Sequence, residues 1–217
     1  MTRTVFDDML TQLNRDVIEL GDLVKSSINH SFAGLLENDE KALDKAVELD
    51  AQINDLENHI QSACIRLIAM QQPVARDLRM VTAILKMITD LERMGDYAED
   101  IALIGKSGAK ELGDKIPESL RTMMETAEDM VKDCVKSYLL SDEALARDVA
   151  ERDNDVDACF EQSVGDIETL MKDSPEEVEK IASLILVSKY LERIGDHATN
   201  IAEWVLYQLT GKQEKLN

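Results

Sequence analysis

Apolar residues recur every three or four positions along nearly the whole chain, and no segment alternates apolar and polar residues as a strand would. Phe6, Leu10, Leu13, Val17 and Leu20 show this spacing most clearly. Because a helix turns about 100° per residue, the spacing places all five on one face. The pattern predicts an all-α protein of six long helices, at about residues 3–36, 40–71, 74–106, 117–140, 143–172 and 175–209.

Polar residues and prolines mark the boundaries between these helices. Asn38-Asp39 and Ser141-Asp142 supply side chains that can cap the helix that follows. Pro73 and Pro117 fit the first turns of the third and fourth helices, where no backbone N–H is needed. Ser174-Pro175-Glu176-Glu177 predicts the start of the sixth helix, with Ser at the cap, Pro next and Glu three positions on.

One twelve-residue segment occurs twice. Leu91–Ala102 reads LERMGDYAEDIA, and Leu191–Ala202 reads LERIGDHATNIA, 100 positions later. A repeat of this kind predicts two related halves of three helices each, at residues 1–108 and 109–217. Because the connections are short, neighbouring helices are expected to be antiparallel. The predicted fold is two tandem three-helix bundles that pack together or share a core.

Glycines mark the linker between the halves and the end of the last helix. Gly105, Gly108 and Gly113 lie close together after the third helix and predict a break there. Gly211 is expected to end the sixth helix and to leave residues 211–217 as a polar tail.

Each repeated segment carries acidic residues on one helical face. Glu92, Asp96, Glu99 and Asp100 lie within about 100° of one another around the helix axis. The apolar residues of the segment lie on the opposite side, which predicts that the acidic face lies away from the core. These apolar residues are Leu91, Met94, Ala98 and Ile101.

The acidic face carries an energetic cost that has two explanations. Like charges four residues apart weaken a helix by a few tenths of a kcal/mol. Gly95 and Gly195 each cost roughly 1 kcal/mol more than Ala would. A cation that bridges the carboxylates would offset this cost, and the missing side chain would leave room for it or for a neighbouring helix. In the alternative, the face is solvated and Arg93 and Arg193 supply the counter-charge.

Composition limits the partners and the cellular compartment. The chain has 217 residues, of which 44% are hydrophobic and 4% aromatic, and its net charge is −20. This charge disfavours nucleic acid and anionic lipid, and it favours cations and basic protein surfaces. Cys64, Cys134 and Cys159 are expected to be buried helical thiols in a reducing compartment. Neither a signal peptide nor a membrane-spanning segment is expected, which predicts a cytoplasmic protein without direct membrane insertion.

Several motifs together resemble the PhoU family, the accessory proteins of bacterial phosphate-specific transport. They are the two LER[MI]GD segments, the PVARDLR segment at residues 73–79, and the acidic steps Asp50-x-x-x-Asn54 and Asp153-x-x-x-Asp157. The resemblance implies a non-enzymatic negative regulator of phosphate uptake and of the phosphate-starvation response. It also implies contacts with the ATP-binding subunit of the phosphate ABC transporter and with a sensor histidine kinase, and a homodimer.

The resemblance further implies two multinuclear metal clusters. The second has Asn200 and Thr199 where the first has Asp100 and Glu99, so it carries less charge and weaker or selective occupancy is expected. All of the ligands are oxygen donors, which suit magnesium, calcium and manganese, and also iron or zinc where carboxylates bridge. The first cluster would use Asp50, Asn54, Glu92, Asp96 and Asp100, and the second Asp153, Asp157, Glu192, Asp196 and Asn200.

Three other classes of function stay open. One is a metal-free acidic helical scaffold, which has the same fold. Another is a di-iron, ferritin-like enzyme, which is disfavoured because such enzymes use Glu-x-x-His pairs. In this chain Ser27, Leu56 and Ile194 stand three residues before the three histidines, which are therefore expected to be structural or solvated. The third, a metal-dependent phosphatase, is disfavoured because no nucleophile or phosphate clamp is evident beside the acidic face.

Overall fold

The computed structural model describes residues 2–216, with side chains from Val5 to Leu216. The residues described form six long helices and two short 3₁₀ segments, Ala109–Lys115 and Pro175–Glu177, and contain no strand. The long helices are α1 (Thr2–Glu37), α2 (Glu40–Gln71), α3 (Arg76–Lys106), α4 (Glu118–Leu140), α5 (Glu143–Asp173) and α6 (Val178–Thr210).

The helices form two three-helix bundles that lie side by side. α1, α2 and α3 pack against one another, as do α4, α5 and α6. α3 and α6 pack along each other at the centre, and α1 also contacts α4. One hydrophobic core extends through both bundles. The predicted all-α fold of two tandem bundles is confirmed, whereas the boundary at residues 108 and 109 stays a prediction.

Aspartates cap two of the helices, as the sequence predicts. The Asp39 carboxylate accepts hydrogen bonds from Lys41 N at 3.0 Å and Ala42 N at 3.3 Å, at the start of α2. The Asp142 carboxylate accepts one from Leu145 N at 3.0 Å, at the start of α5. Each cap satisfies backbone N–H groups that have no partner within the helix.

The predicted starts of α3, α4 and α6 are wrong in detail. Pro73 precedes α3, which begins at Arg76 after a turn, and Pro117 lies just before α4 rather than inside it. The Ser174 side chain makes no capping bond, because a 3₁₀ turn separates it from α6. Glu177, the expected capping partner, forms an ion pair with Lys115 instead.

The polar tail folds back onto the second bundle. Gly211 ends α6 at φ 74, a left-handed conformation that glycine adopts without strain. Leu216 N then donates to Glu203 Oε1 at 2.7 Å, and the Leu216 side chain packs against the core. Arg147 of α5 also binds Glu214 at 3.0 Å. These contacts hold the tail against α5 and α6.

Two of the three cysteines are fully buried, and the third departs from the prediction. Cys64 and Cys134 are buried, whereas Cys159 is partly exposed. Burial raises the pKa of Cys64 to about 12 and also raises the pKa of Cys134. The pKa of Cys159 is raised mainly by its partial burial.

We expect Cys159 to react first with a thiol reagent, because the thiolate is the reactive form and the other two thiols are shielded from solvent. Native protein treated with Ellman's reagent at pH 8 should release about one equivalent quickly, and all three only in denaturant. Cys159→Ser should remove the fast phase. Three equal rates in the native protein would contradict this assignment.

Candidate functional site

The acidic face of α3 lies against α2, and both helices contribute carboxylates to it. Burial raises the pKa of Asp50 on α2, and the nearby charge of Asp96 raises it further. Asn54 Nδ2 donates to Asp50 Oδ2 at 2.8 Å, which lowers the same pKa. The charge of Asp100 also raises this pKa, to a smaller extent. The structure therefore brings Asp50 and Asn54 of α2 near Asp96 and Asp100 of α3.

Two further carboxylates join this group. The pKa of Glu99 is raised by burial and then by Asp50. The pKa of Glu92 is raised by burial and by Asp96, and to a smaller extent by Glu57. We call the group the first acidic cluster; its members are Asp50, Asn54, Glu57, Glu92, Asp96, Glu99 and Asp100. Neither Glu99 nor Glu57 is among the predicted ligands. Their helical spacing from Asp96 and Asn54 is the sequence feature that indicates a place in this cluster.

Gly95 allows α2 and α3 to approach closely at the centre of this cluster. A Cβ atom at this position would lie 3.0 Å from Ile53 Cδ1 on α2. The neighbouring helix α2 therefore occupies the space that a side chain at position 95 would need. Room for a neighbouring helix was one of the two explanations that the sequence offered for this glycine, the other being room for a cation. Close packing of the two helices brings the carboxylates of α2 and α3 near one another.

The first cluster holds more negative charge than its neighbours balance. Arg93 lies 2.9 Å from Asp96 Oδ2 and 3.4 Å from Glu92 Oε2, but about half of its side chain is exposed, so water screens these pairs. Asp50 Oδ1 is buried and has no hydrogen-bond partner among the residues described. A buried oxygen without a partner and a group of raised pKa values fit a site where a bound cation would offset the negative charge.

The donor set of the first cluster fits a metal, but its arrangement is not a finished site. Carboxylate and amide oxygens suit magnesium and manganese, and bridging carboxylates suit iron or zinc. Within residues 2–216, however, no three His, Cys, Asp or Glu side chains are already gathered tightly enough to hold one ion. The residues of the first cluster therefore fit a metal ion by their chemistry rather than by a preformed geometry.

The second acidic cluster, on α5 and α6, is better balanced. Glu192 pairs with Lys189 one turn away. Burial raises the pKa of Asp196, as do Glu192 and Asp157, while His197 and Lys189 lower it. Lys189 therefore offsets charge at both carboxylates of α6.

The α5 residues of this cluster differ in burial. Asp153 is buried beside Gly195, where a Cβ atom would lie 2.9 Å from Asp153 Oδ1. Asp157 is exposed. A glycine therefore admits the neighbouring helix here, as it does in the first bundle.

Asn200 of α6 makes a contact with the other bundle. Its Nδ2 donates to Asp90 Oδ1 of α3 at 3.2 Å, and His197 Nδ1 lies 2.8 Å from the same oxygen. Asp90 thus joins α3 to α6. The expectation that His197 is structural is confirmed by this contact. The sequence carried no signal for Asp90, since its counterpart in the repeat is Tyr190.

The counterpart positions form a matching contact on the other side of the α3–α6 interface. The Tyr190 ring stacks on Tyr97 with centroids 5.6 Å apart. Burial and the nearby charge of Asp100 raise the pKa of Tyr190. Arg193 Nη1 donates to the Tyr97 hydroxyl at 3.2 Å. Position 90 therefore lies near positions 197 and 200, and position 190 lies near positions 97 and 100. The two sets of contacts are related by a pseudo-twofold axis. The two repeats use the same positions with different chemistry.

The other histidines are also structural or solvated. His30 Nδ1 lies 2.6 Å from the Ser26 carbonyl oxygen. The exposed His59 lies 3.8 Å from Asp16. Neither belongs to an acidic cluster, so histidine ligands of a di-iron enzyme are not found at these positions.

Comparison with known proteins identifies the family. The family model described as "PhoU domain" matches the chain twice, at residues 17–104 and 120–205. The chain belongs to the PhoU family. The PhoU homolog of Clostridium acetobutylicum, named a phosphate-specific transport system accessory protein, is 35% identical over all of both chains. The homolog of Synechocystis is 33% identical over 98% of this chain and 94% of its own.

Solved PhoU structures have the same fold. The crystal structure of PhoU from Pseudomonas aeruginosa matches 95% of this chain and 100% of its own, with a TM-score of 0.89 and 31% identity. PhoU from Streptococcus pneumoniae, described as a phosphate transport system regulatory protein, matches 96% of this chain and 99% of its own, with a TM-score of 0.85 and 27% identity. In this PhoU-family chain, none of the helices within residues 2–216 has the length and apolarity needed to cross a membrane.

We expect Asp90→Ala to destabilise this PhoU-family chain by about 1–3 kcal/mol, because it leaves two polar groups at the α3–α6 interface without their shared acceptor. Urea unfolding at pH 7 measures the change. Tyr190→Phe, at the counterpart position, removes the hydroxyl but keeps the ring stacking and should cost less. Equal losses of stability in the two variants would show that the Asp90 contacts stabilise the interface no more than the Tyr190 hydroxyl does.

Proposed function

We propose that this chain is a negative regulator of phosphate uptake and of the phosphate-starvation response. The observation that carries the proposal is the likeness, over the full chain, to proteins named phosphate-specific transport system accessory proteins. We propose that it acts in the cytoplasm without catalysis, through contacts with the transporter's ATP-binding subunit and with a sensor histidine kinase. A homodimer is part of the same proposal.

The shape of the molecule supports action by contact. Long, tightly packed helices present extended faces, and a single core through both bundles keeps those faces at a fixed spacing. Such faces suit helix-on-helix docking of a partner. With a net charge of −20, basic partner surfaces would be attracted over most of the molecule.

Deletion of the gene in its own organism tests the proposal. In phosphate-rich medium, the deletion strain should keep a high rate of phosphate uptake and a high output from a phosphate-starvation promoter. A plasmid copy of the wild type should restore repression of both. Normal repression in the deletion strain would refute the regulatory role.

We also propose that the acidic clusters bind metal ions, of iron, manganese, zinc or magnesium. The first cluster supports this better than the second, because its carboxylates share one exposed arginine, whereas Lys189 pairs with Glu192 in the second. Bound cations would neutralise the clusters and hold α2 to α3 and α5 to α6. The competing proposal is a metal-free acidic scaffold, which the pairing of Arg93 with Glu92 and Asp96 favours.

A further inference from the structure

The charge carried by α2 and α3 changes sign along the length of the two helices. The half that carries the first acidic cluster is strongly negative. The other half, residues 61–89, contains four basic residues and one acidic residue, in a chain with 44 acidic and 24 basic residues. The matching segment of the second repeat, residues 161–189, contains three basic and seven acidic residues. The reversal of charge is therefore particular to the first bundle and does not follow from the repeated fold.

The same end of the first bundle exposes large apolar side chains. Val74, in the α2–α3 connection, is 73% exposed, and Met70 at the end of α2 is 63% exposed. Ile65 and Leu78 are also exposed, one on each helix. We call this surface the α2–α3 tip and define it as Ile65, Arg66, Met70, Val74, Arg76 and Leu78. Apolar groups concentrated at one end of an otherwise charged protein are typical of an interaction site.

The backbone at the tip is held in an unusual conformation. Gln72 has φ 47, and Ala75 has φ 49 and ψ −114, although neither is glycine. Hydrogen bonds close the turn: Asp77 N donates to the Val74 carbonyl at 3.1 Å, and Arg79 N donates to the Ala75 carbonyl at 3.1 Å. Positive φ at residues with a Cβ costs free energy, and such strain is often found at functional sites. Here it accompanies the outward position of Val74.

The arginines of the tip differ from most other arginines of the described chain in their pairing. Arg66 and Arg76 are exposed, and across residues 2–216 neither makes an ion pair or a side-chain hydrogen bond. By contrast, Arg93, Arg147 and Arg152 are each paired with two carboxylates. With acidic residues in large excess, two exposed arginines that form no ion pair within the described part of the chain can bind carboxylates from another molecule.

We propose that the α2–α3 tip docks a protein segment that carries carboxylates beside apolar side chains, such as an acidic amphipathic helix. The apolar residues of the segment would cover Val74, Met70 and Leu78, and its carboxylates would pair with Arg66 and Arg76. This inference rests on the proposed function, because it names the chemistry of one docking partner. A flat anionic membrane fits less well, since it would also meet Asp7 and Asp8 near the start of α1, which runs beside the end of α2.

Two synthetic helical peptides with the same leucine face test the chemistry, one with glutamates and one with lysines on the polar face. Fluorescence anisotropy with the full-length protein measures their binding. The net charge alone predicts that the glutamate peptide is repelled, so its binding is diagnostic. We expect Arg66→Glu combined with Arg76→Glu to weaken it about tenfold or more. Met70→Ser combined with Val74→Ser should also weaken it.

Arg15→Glu is the matched control, because Arg15 is an exposed arginine of α1 that makes no ion pair among the residues described. It should leave the affinity for the glutamate peptide unchanged. No binding of this peptide by the wild type, or equal binding by the Arg66→Glu, Arg76→Glu variant, would overturn the proposal. So would tip-dependent binding of phosphatidylglycerol vesicles that the glutamate peptide fails to compete with, which would indicate a membrane surface instead.

Complementation separates this inference from the proposed function. Normal phosphate control in the deletion strain would refute the function, whatever the peptides do. If the deletion loses control and the Arg66→Glu, Arg76→Glu variant restores it fully, the function stands and the tip has no part in it. A variant that folds with wild-type circular dichroism and melting temperature, yet fails to restore control, supports the proposed docking site.

Discussion

Gly34→Ala should destabilise the protein by about 1–3 kcal/mol, although alanine is the better helix former. Gly34 lies in α1, and a Cβ atom there would be 2.5 Å from Leu43 Cγ and 3.0 Å from the Asp39 carbonyl oxygen. Leu43 is fully buried and cannot retreat easily, because Gly105 of α3 also packs closely against it. The added methyl group must therefore push α1 away from α2. Urea unfolding at pH 7 measures the loss.

Gly165→Ala is the matched control and should have the opposite sign. Gly165 is exposed in α5, and a Cβ atom there would have no neighbour within 4 Å. Alanine should stabilise the protein by about 0.5–1 kcal/mol, because it loses less backbone entropy on folding than glycine does. If both substitutions destabilise equally, or both stabilise, the close approach at Leu43 is not what requires glycine at position 34.

The sequence predicted helices and their buried faces well, because both depend on local spacing. Leu91, Met94, Ala98 and Ile101 are all fully buried, as their positions around the helix indicated. The predicted start of α6 was wrong because of a contact between residues far apart in the chain. Ser174 and Glu177 have the spacing of a capping box, but Lys115, far away in the chain, binds Glu177.

Contacts between the bundles could not be predicted from the repeat. The repeated segments indicate that α3 and α6 are related, but not which of their faces meet. Asp90 and Tyr190 occupy equivalent positions, yet one binds His197 and Asn200 while the other stacks on Tyr97. Similarly, Tyr97 and His197 occupy equivalent positions in the two repeats, but nothing in the sequence around them indicates that they lie at an interface. Such pairs become visible only once the two helices are placed together.

For the candidate site, helical spacing predicted the acidic face of α3, and the resemblance to the PhoU family implied its partners on α2. Neither indicated how far neighbouring groups balance the charge of these carboxylates. The helical positions placed Glu92, Asp96 and Glu99 on one face. The raised pKa values depend on partial burial and on charges from the other helix, such as Asp50. Neither quantity can be derived from spacing along one helix.

In metal-free protein, the first acidic cluster should make stability rise as the pH falls below neutral. The pKa values of Asp50, Glu57, Glu92 and Glu99 are all raised in the folded state. The folded protein therefore binds protons at a higher pH than the unfolded chain does. The electrostatic cost is fully present above the raised folded values and is lost as the pH falls through them toward about 4, the value of an unfolded carboxyl. Thermal unfolding in the presence of a chelator, between pH 7.5 and 5, measures this contribution.

Asp50→Asn combined with Glu92→Gln removes two of these charges with little change of shape. Without metal at pH 7, we expect the variant to be at least as stable as the wild type and to show a smaller rise in stability on acidification. Asp55→Asn is the control, since Asp55 is an exposed acid of α2 with no part in the cluster. It should follow the wild type. A variant that is clearly less stable than the wild type would show that these carboxylates are structural rather than electrostatically strained.

A bound cation should make the wild type more stable than the Asp50→Asn, Glu92→Gln variant, the reverse of the order expected without metal. At a metal concentration 100 times the dissociation constant, binding to the folded state alone stabilises a protein by about 2.7 kcal/mol. Manganese, iron, zinc or magnesium should therefore raise the melting temperature of the wild type but not of the Asp50→Asn, Glu92→Gln variant. The corresponding Glu192→Gln, Asp196→Asn variant should lose less, because Lys189 already neutralises part of the second cluster.

Metal content measured after purification without chelators or a histidine tag completes the test. Loss of bound metal in each double variant, together with loss of the thermal shift, would establish the clusters as metal sites. If the wild type holds no metal and none of the four cations shifts its melting temperature at pH 7, the clusters are acidic docking faces. In that case the raised pKa values would still stand, and a basic partner surface, rather than a metal ion, would be the group that offsets their charge.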